Sequence, residues 1–169
     1  MAALYAPLGT TGSGAGAFPL HADLYVPEIL WIIFDEVPQG RSGASLFAPA
    51  SALLGLLDQV PEIPAATRAL VRACFEGPAV EDQFDTLFSL LYGGRELWRR
   101  TLRRSLRVYQ VQIKLHRGQG YLLHDRAWLH GRATPRGGVA AERLHRLIFG
   151  GRRAAVNQAS VPLPIGVDS

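Results

Sequence analysis

Phe18-Pro19-Leu20-His21-Ala22-Asp23-Leu24 decides how this chain is read, together with a second stretch far downstream, Leu122-Leu123-His124-Asp125-Arg126-Ala127-Trp128-Leu129-His130-Gly131-Arg132. Residues two apart on a strand project from the same face, so His21 and Asp23 can offer an imidazole and a carboxylate to one point in space. His130 is the candidate for a third ligand. Two histidines and one carboxylate on one octahedral face, with the other positions open, form the donor set of non-haem Fe(II) oxygenases. An H-x-D triplet by itself is unspecific in a chain with five histidines. Its weight comes from what surrounds it.

Outward from these stretches, residues 10–16 are almost all Gly, Ser and Thr, the composition of a mobile segment or a loop over a pocket, so ordered structure is expected to begin near Phe18. After Pro27, residues 28–34 are bulky and β-branched and predict a strand buried on both faces. Residues 35–43 are turn-rich and residues 44–47 predict a short strand. From Pro49 the period changes. Apolar residues at Ala50, Leu53, Leu54 and Leu57, then at Leu70, Val71 and Cys74, are helical, with Ser51 and Thr67 as expected caps and Pro61, Pro64 and Pro78 as punctuation. Residues 81–92, ended by Gly93-Gly94, and residues 95–106 predict two further helices. Alternation then resumes. Residues 107–115 predict a half-buried strand, Gly118-Gln119-Gly120 a turn, residues 121–124 and 127–130 strands around the Asp125-Arg126 turn, and residues 143–149 a last strand.

A chain of 169 residues is read as one domain, residues 1–169, with a flexible N-terminus over 1–17, a helical lid insert over 49–106 and a peripheral tail over 150–169. At 48% hydrophobic it is too apolar for disorder outside its ends. Its single cysteine, Cys74, excludes an internal disulfide and a thiolate-rich zinc site, and sits in an apolar run that predicts a small buried side chain. No charged leader followed by an apolar run opens the chain, and the longest apolar stretch, residues 29–34, is too short to cross a bilayer. A cytoplasmic protein without membrane contact is expected.

The net charge of +4 is almost wholly arginine, since Lys114 is the sole lysine. Arginine suits planar carboxylate or phosphate recognition, but a G- and C-rich genome favours arginine codons too, so basicity names no partner. Arg95, Arg99, Arg100, Arg103, Arg104 and Arg107 cluster at helical spacing, with Glu96 and Arg100 an ordinary i,i+4 pair. A solvated helix face is the expectation, and nucleic acid is not an expected partner. His116, His124 and His145 are expected as structural or surface histidines, and Trp31 and Trp128 as core.

Gly118-x-Gly120-x-Leu122-Leu123-His124-Asp125-Arg126-x-x-Leu129-His130-Gly131-Arg132 resembles the C-terminal motif of the taurine/2-oxoglutarate dioxygenase superfamily, which includes the clavaminate synthase-like enzymes. Leu20-His21-Ala22-Asp23 resembles that family's proximal H-x-D, Ser42-Gly43-Ala44-Ser45-Leu46-Phe47 its Gly-Gly-x-Thr segment, and residues 142–149 its arginine-bearing last strand. His124-Asp125 stands where the family has Asp-Asn, Ser45 where it has Thr, and Arg143 and Arg146 do not reproduce its usual arginine spacing. The region before H-x-D is shorter than the family's, which makes a homodimer an expected way of completing the pocket.

The resemblance implies a mainly β fold with a helical insert, the double-stranded β-helix or cupin-like jelly-roll barrel. It implies Fe(II) held by His21, Asp23 and His130, and 2-oxoglutarate as co-substrate with its far carboxylate on Ser45 and an arginine, Arg146 or Arg143. The implied activity is that of an Fe(II)- and 2-oxoglutarate-dependent dioxygenase. It would use dioxygen to hydroxylate an unactivated carbon of a small polar substrate, such as an amino acid, free or bound to a carrier protein, in specialised metabolism. The carboxylate of Asp23 implies hydroxylation over halogenation, because related halogenases lack it. The alternative is a non-catalytic jelly-roll subunit acting as ligand binder or scaffold.

Overall fold

The computed structural model describes residues 4–9, 18–24, 29–36, 43–77, 83–133 and 143–149. Two antiparallel four-stranded sheets carry the fold. In the first, β1 (Leu4–Gly9), β8 (Arg143–Phe149), β3 (Ile29–Glu36) and β6 (Gly120–His124) are neighbours in that order. In the second the order is β2 (Phe18–His21), β7 (Trp128–Arg132), β4 (Ser45–Pro49) and β5 (Val111–Ile113). Among the described residues neither sheet closes into a barrel. Structure begins at β1, upstream of the start expected near Phe18. The Gly- and Ser-rich residues 10–16 and the tail over 150–169 lie outside the described residues.

Alternation along the strands sorts the core into two layers. Leu30, Ile32 and Phe34 of β3, with Leu123 of β6, meet Phe47 of β4 between the sheets, and Tyr121 packs edge-on against Phe47 at 4.8 Å. The opposite face of the second sheet, through Leu46, Ala48 and Leu129, packs against the helices. Strand β3 therefore corrects the expectation of burial on both faces. Its Ile29 and Trp31 are more than a third exposed, because nothing among the described residues covers that side of the first sheet. Trp128 is equally exposed and is not core.

The helical insert is present as four helices, α1 (Ala50–Gln59), α2 (Ala65–Glu76), α3 (Gln83–Tyr92) and α4 (Leu97–Leu106). Their buried stripes, among them Leu53, Leu56 and Leu57 on α1 and Trp98, Leu102 and Leu106 on α4, recur at helical spacing and share one apolar layer. Ser51 and Thr67 are not caps. Helices α1 and α2 begin one residue past Pro49 and Pro64, whose fixed φ already suits a helix start, and the Ala50 N–H donates to the Ala127 carbonyl at 2.8 Å. Cys74 is buried, as its apolar run requires, and burial pushes its thiol pKa up.

The strand expected over 107–115 is corrected. Helix α4 runs on into a 3-10 turn at Arg107–Tyr109, and β5 is a three-residue edge strand with every residue exposed. The alternation there follows from an edge position, not from a buried face. Gly118 has φ +78°, donates to the Phe34 carbonyl and makes the expected turn into β6. The arginine cluster is not uniformly solvated either. Arg99 Nε donates to the Leu90 carbonyl and Arg103 Nη1 to the Leu91 carbonyl, so two of its members satisfy the last turn of α3. No helix among the described residues is long and apolar enough to cross a membrane.

Candidate metal centre

Strand β2 ends at His21, which pairs directly with His130 of β7, and Phe47 of β4 lies on the other side of His130. Opposed residues of an antiparallel ladder share a face, so both imidazoles belong to the side of the second sheet that looks toward the first. Leu20 and Ala22, alternating with His21 and Asp23, are buried in the helical layer instead. Period-2 patterning thus divides this short segment between hydrophobic core and site.

The three side chains converge. One ligand atom each from His21, Asp23 and His130 lies within 4.8 Å of the others. Asp23 is the bridge, with Oδ1 3.7 Å from His21 Nε2 and Oδ2 3.8 Å from His130 Nε2, and its side chain is 13% exposed. Metal–ligand bonds of about 2.1 Å let one ion draw such a trio in without rebuilding the backbone. The histidine tautomer suits this role. His21 Nδ1–H donates to the Pro19 carbonyl at 2.9 Å, which leaves the Nε2 lone pair facing Asp23. Two neutral imidazoles and one carboxylate fit a divalent first-row metal such as Fe(II).

Gly131 makes the approach of β2 to β7 possible. A Cβ there would sit 2.7 Å from the Phe18 carbonyl oxygen and 3.0 Å from the Leu20 nitrogen. Aromatic rings enclose the histidines. Phe18 meets His21 edge-on at 4.4 Å, Phe84 of α3 meets it edge-on at 5.7 Å, and Tyr121 lies 6.2 Å from His130. Phe84 stacks on Phe88, and Phe88 lies tilted, 5.0 Å away, against Tyr92, whose hydroxyl donates to the Leu20 carbonyl at 2.6 Å. Burial pushes the Tyr92 pKa up to about 12.

Behind the trio lies Asp125, wholly buried. Its Oδ1 accepts the Asp23 N–H at 3.0 Å and its Oδ2 accepts the Leu24 N–H at 2.5 Å. In the sequence Asp125 reads as a turn residue and as part of the His124-Asp125 pair, with no role at the centre. Nothing local marks it, because its neighbours His124 and Ala127 are exposed and it alone in the turn is buried.

The remaining expected residues divide. Ser45 is buried and pairs with Arg132, two ladder positions beyond Phe47 and His130 and so on the same face of the sheet. Burial lowers the Arg132 pKa. Arg146 occupies the β8 position opposite Ile32 and Arg143 the one opposite Glu36, both in the first sheet. His124 is exposed at the end of β6, and His116 is exposed in the turn before it, so neither joins the trio. His145 is a β8 position opposite Ile33.

Neither a family model nor a curated protein sequence matches this chain. Solved structures do. The asparagine oxygenase AsnO superposes with a TM-score of 0.49 at 15% identity over 82% of this chain and 50% of that one. PvcB from Pseudomonas aeruginosa gives 0.47 at 17% identity over 87% and 63%. A putative alpha-ketoglutarate-dependent taurine dioxygenase from Burkholderia xenovorans gives 0.46 at 12% identity over 89% and 62%. The chain thus spans between half and two thirds of their lengths, and these likenesses assign no residue role. The solved structures to which this chain is similar include an asparagine oxygenase and a putative alpha-ketoglutarate-dependent taurine dioxygenase, and its sequence motifs resemble those of the taurine/2-oxoglutarate dioxygenase superfamily.

Proposed function

We propose that this chain is an Fe(II)- and 2-oxoglutarate-dependent oxygenase that hydroxylates an unactivated carbon of a small polar substrate such as an amino acid, free or carrier-bound. The observation that carries this is the meeting of His21, Asp23 and His130 from opposite ends of the chain, with donor atoms 3.7 and 3.8 Å apart and no fourth protein donor required. A facial trio leaves room for a keto acid and dioxygen. Two facing antiparallel sheets with the site between them support a double-stranded β-helix.

Iron held by His21, Asp23 and His130 would, with 2-oxoglutarate and dioxygen, supply the oxidising power for hydroxylation, with succinate and carbon dioxide as the co-products. The chain's own residues hold and aim. The Pro19 carbonyl fixes the His21 ring, and Asp23 contributes the one anionic donor. In this reading Ser45, with Arg146 or Arg143, receives the far carboxylate of the co-substrate, for which a guanidinium fork is the strongest neutral-pH partner. Helix α3, with Phe84 against His21, screens the centre from water.

The test is succinate formation from 2-oxoglutarate by the anaerobically iron-loaded chain, given oxygen and a panel of amino acids, with the hydroxylated product followed by mass spectrometry. One amino acid is expected to raise succinate above the uncoupled background, and His21→Ala to abolish both iron binding and turnover. Tight iron binding without succinate for any substrate would instead favour a non-catalytic ligand-binding subunit.

A further inference from the structure

Asp125 stands outside the trio, yet it touches the backbone of one ligand and faces the ring of another. Its two oxygens take successive N–H groups, those of Asp23 and Leu24, from a segment more than a hundred residues away in sequence. Successive N–H groups turned the same way form a small anion-binding concavity, and a buried carboxylate fills it. Leu24, whose N–H is bonded at 2.5 Å, has φ +55°, a left-handed conformation that a bulky side chain adopts only under outside constraint. Leu24 is also buried, so its side chain is anchored while its backbone is turned. Asp125 thus fixes the backbone at Asp23 and at the residue after it, just past the end of β2 at His21. Asp125 Oδ1 also lies 3.9 Å from His130 Nδ1, on the side of the ring away from Asp23.

We propose that Asp125 is the positioning residue of the metal centre: one buried carboxylate pins the backbone N–H groups of Asp23 and Leu24, which holds Asp23 in place, and orients the His130 ring so that Nε2 faces the ion. This rests on the metal-binding reading of the trio. Arg126, the neighbour of Asp125, serves the fold instead: Nη1 donates to the carbonyls of Phe75 and Gly77 at 3.0 and 2.7 Å, where α2 ends. A carboxylate hydrogen-bonded to a ligand ring from behind typically governs metal affinity by about 10- to 100-fold, and the 3.9 Å contact of Asp125 with the His130 ring closes into such a bond when the ion is held.

The experiment uses the full chain and Co(II), whose visible spectrum reports coordination geometry. Asp125→Asn keeps the shape and one acceptor oxygen but turns an amide N–H2 toward an N–H. It is expected to raise the Co(II) dissociation constant by about 10- to 100-fold and to alter the visible bands while far-ultraviolet circular dichroism is retained. Arg126→Ala is expected to lower the unfolding midpoint and leave the Co(II) spectrum and affinity unchanged. Asp125→Asn binding Co(II) as the wild type does overturns the proposal alone. A wild-type chain that binds neither Co(II) nor Fe(II) overturns the oxygenase reading, and this inference with it. Should Asp125→Asn fail to fold, nitrogen-15 spectra of the histidine rings in the Zn(II)-loaded wild type decide the matter. His130 protonated at Nδ1 and ligated through Nε2 supports the proposal, and ligation through Nδ1 overturns it.

Discussion

Gly131 sets the width of the site by what it lacks. It stands between His130 and Arg132 on β7, and the Phe18 carbonyl oxygen occupies the place where a Cβ would project. Gly131→Ala must push β2 away from β7, and His21 moves with β2 because the two histidines are direct ladder partners. The expected result is a loss of about 1–3 kcal/mol in unfolding free energy by urea titration, as for overpacked sites generally, together with weaker metal binding by calorimetry. Unchanged metal affinity would show that the strand spacing does not govern the trio. The glycine was visible in the His130-Gly131-Arg132 triplet, but its reason was not, since the atom it avoids belongs to a strand a hundred positions earlier.

Among the helices, α3 is the one that touches the site, through Phe84 against His21. Its row Phe84, Phe88 and Tyr92 lies one helical turn apart per step, along β2, and ends in the hydroxyl bond to Leu20. Tyr92 has its pKa raised by burial from 10.0 to about 12, so between those values the unfolded chain loses a proton that the folded chain keeps. Its contribution to stability is thus fully present below about pH 10, falls as pH rises through that window and is gone above about pH 12. Thermal unfolding of the wild type is expected to show this decline, on the order of 2 kcal/mol, and Tyr92→Phe to flatten it. An identical decline in Tyr92→Phe would assign it to other groups. The helices themselves were readable from period alone, because each stripe of Leu, Val and Phe repeats within one element. Their caps were not, because α1 and α2 begin after Pro49 and Pro64, and at α1 a carbonyl from the distant β6–β7 turn, that of Ala127, takes the Ala50 N–H.

At the scale of the molecule, the centre joins segments that no local interaction would bring together. Metal bound at His21, Asp23 and His130 ties β2 to β7, and it binds only the folded chain, so occupancy must appear as global stability. At free Co(II) of about 100 times its dissociation constant, unfolding is expected to cost about 2.7 kcal/mol more than in the apo chain. A chelator should reverse the gain and His21→Ala should never show it. A midpoint indifferent to Co(II), with Co(II) demonstrably bound, would place the bound ion away from the trio.

The amino-acid order by itself determined the four helices and most of the strands, because those rest on periods of two and 3.6; it offered His21 and Asp23 through their spacing and His130 through the motif it resembles, while their meeting is a property of the fold. The tertiary structure alone decided which face of β3 is exposed, that β5 is an edge, that Asp125 is buried behind the metal ligands and that Arg99 and Arg103 close α3. Each of these depends on what lies across a gap between distant segments, and burial, unlike periodicity, is a property of neighbours that the chain meets only on folding.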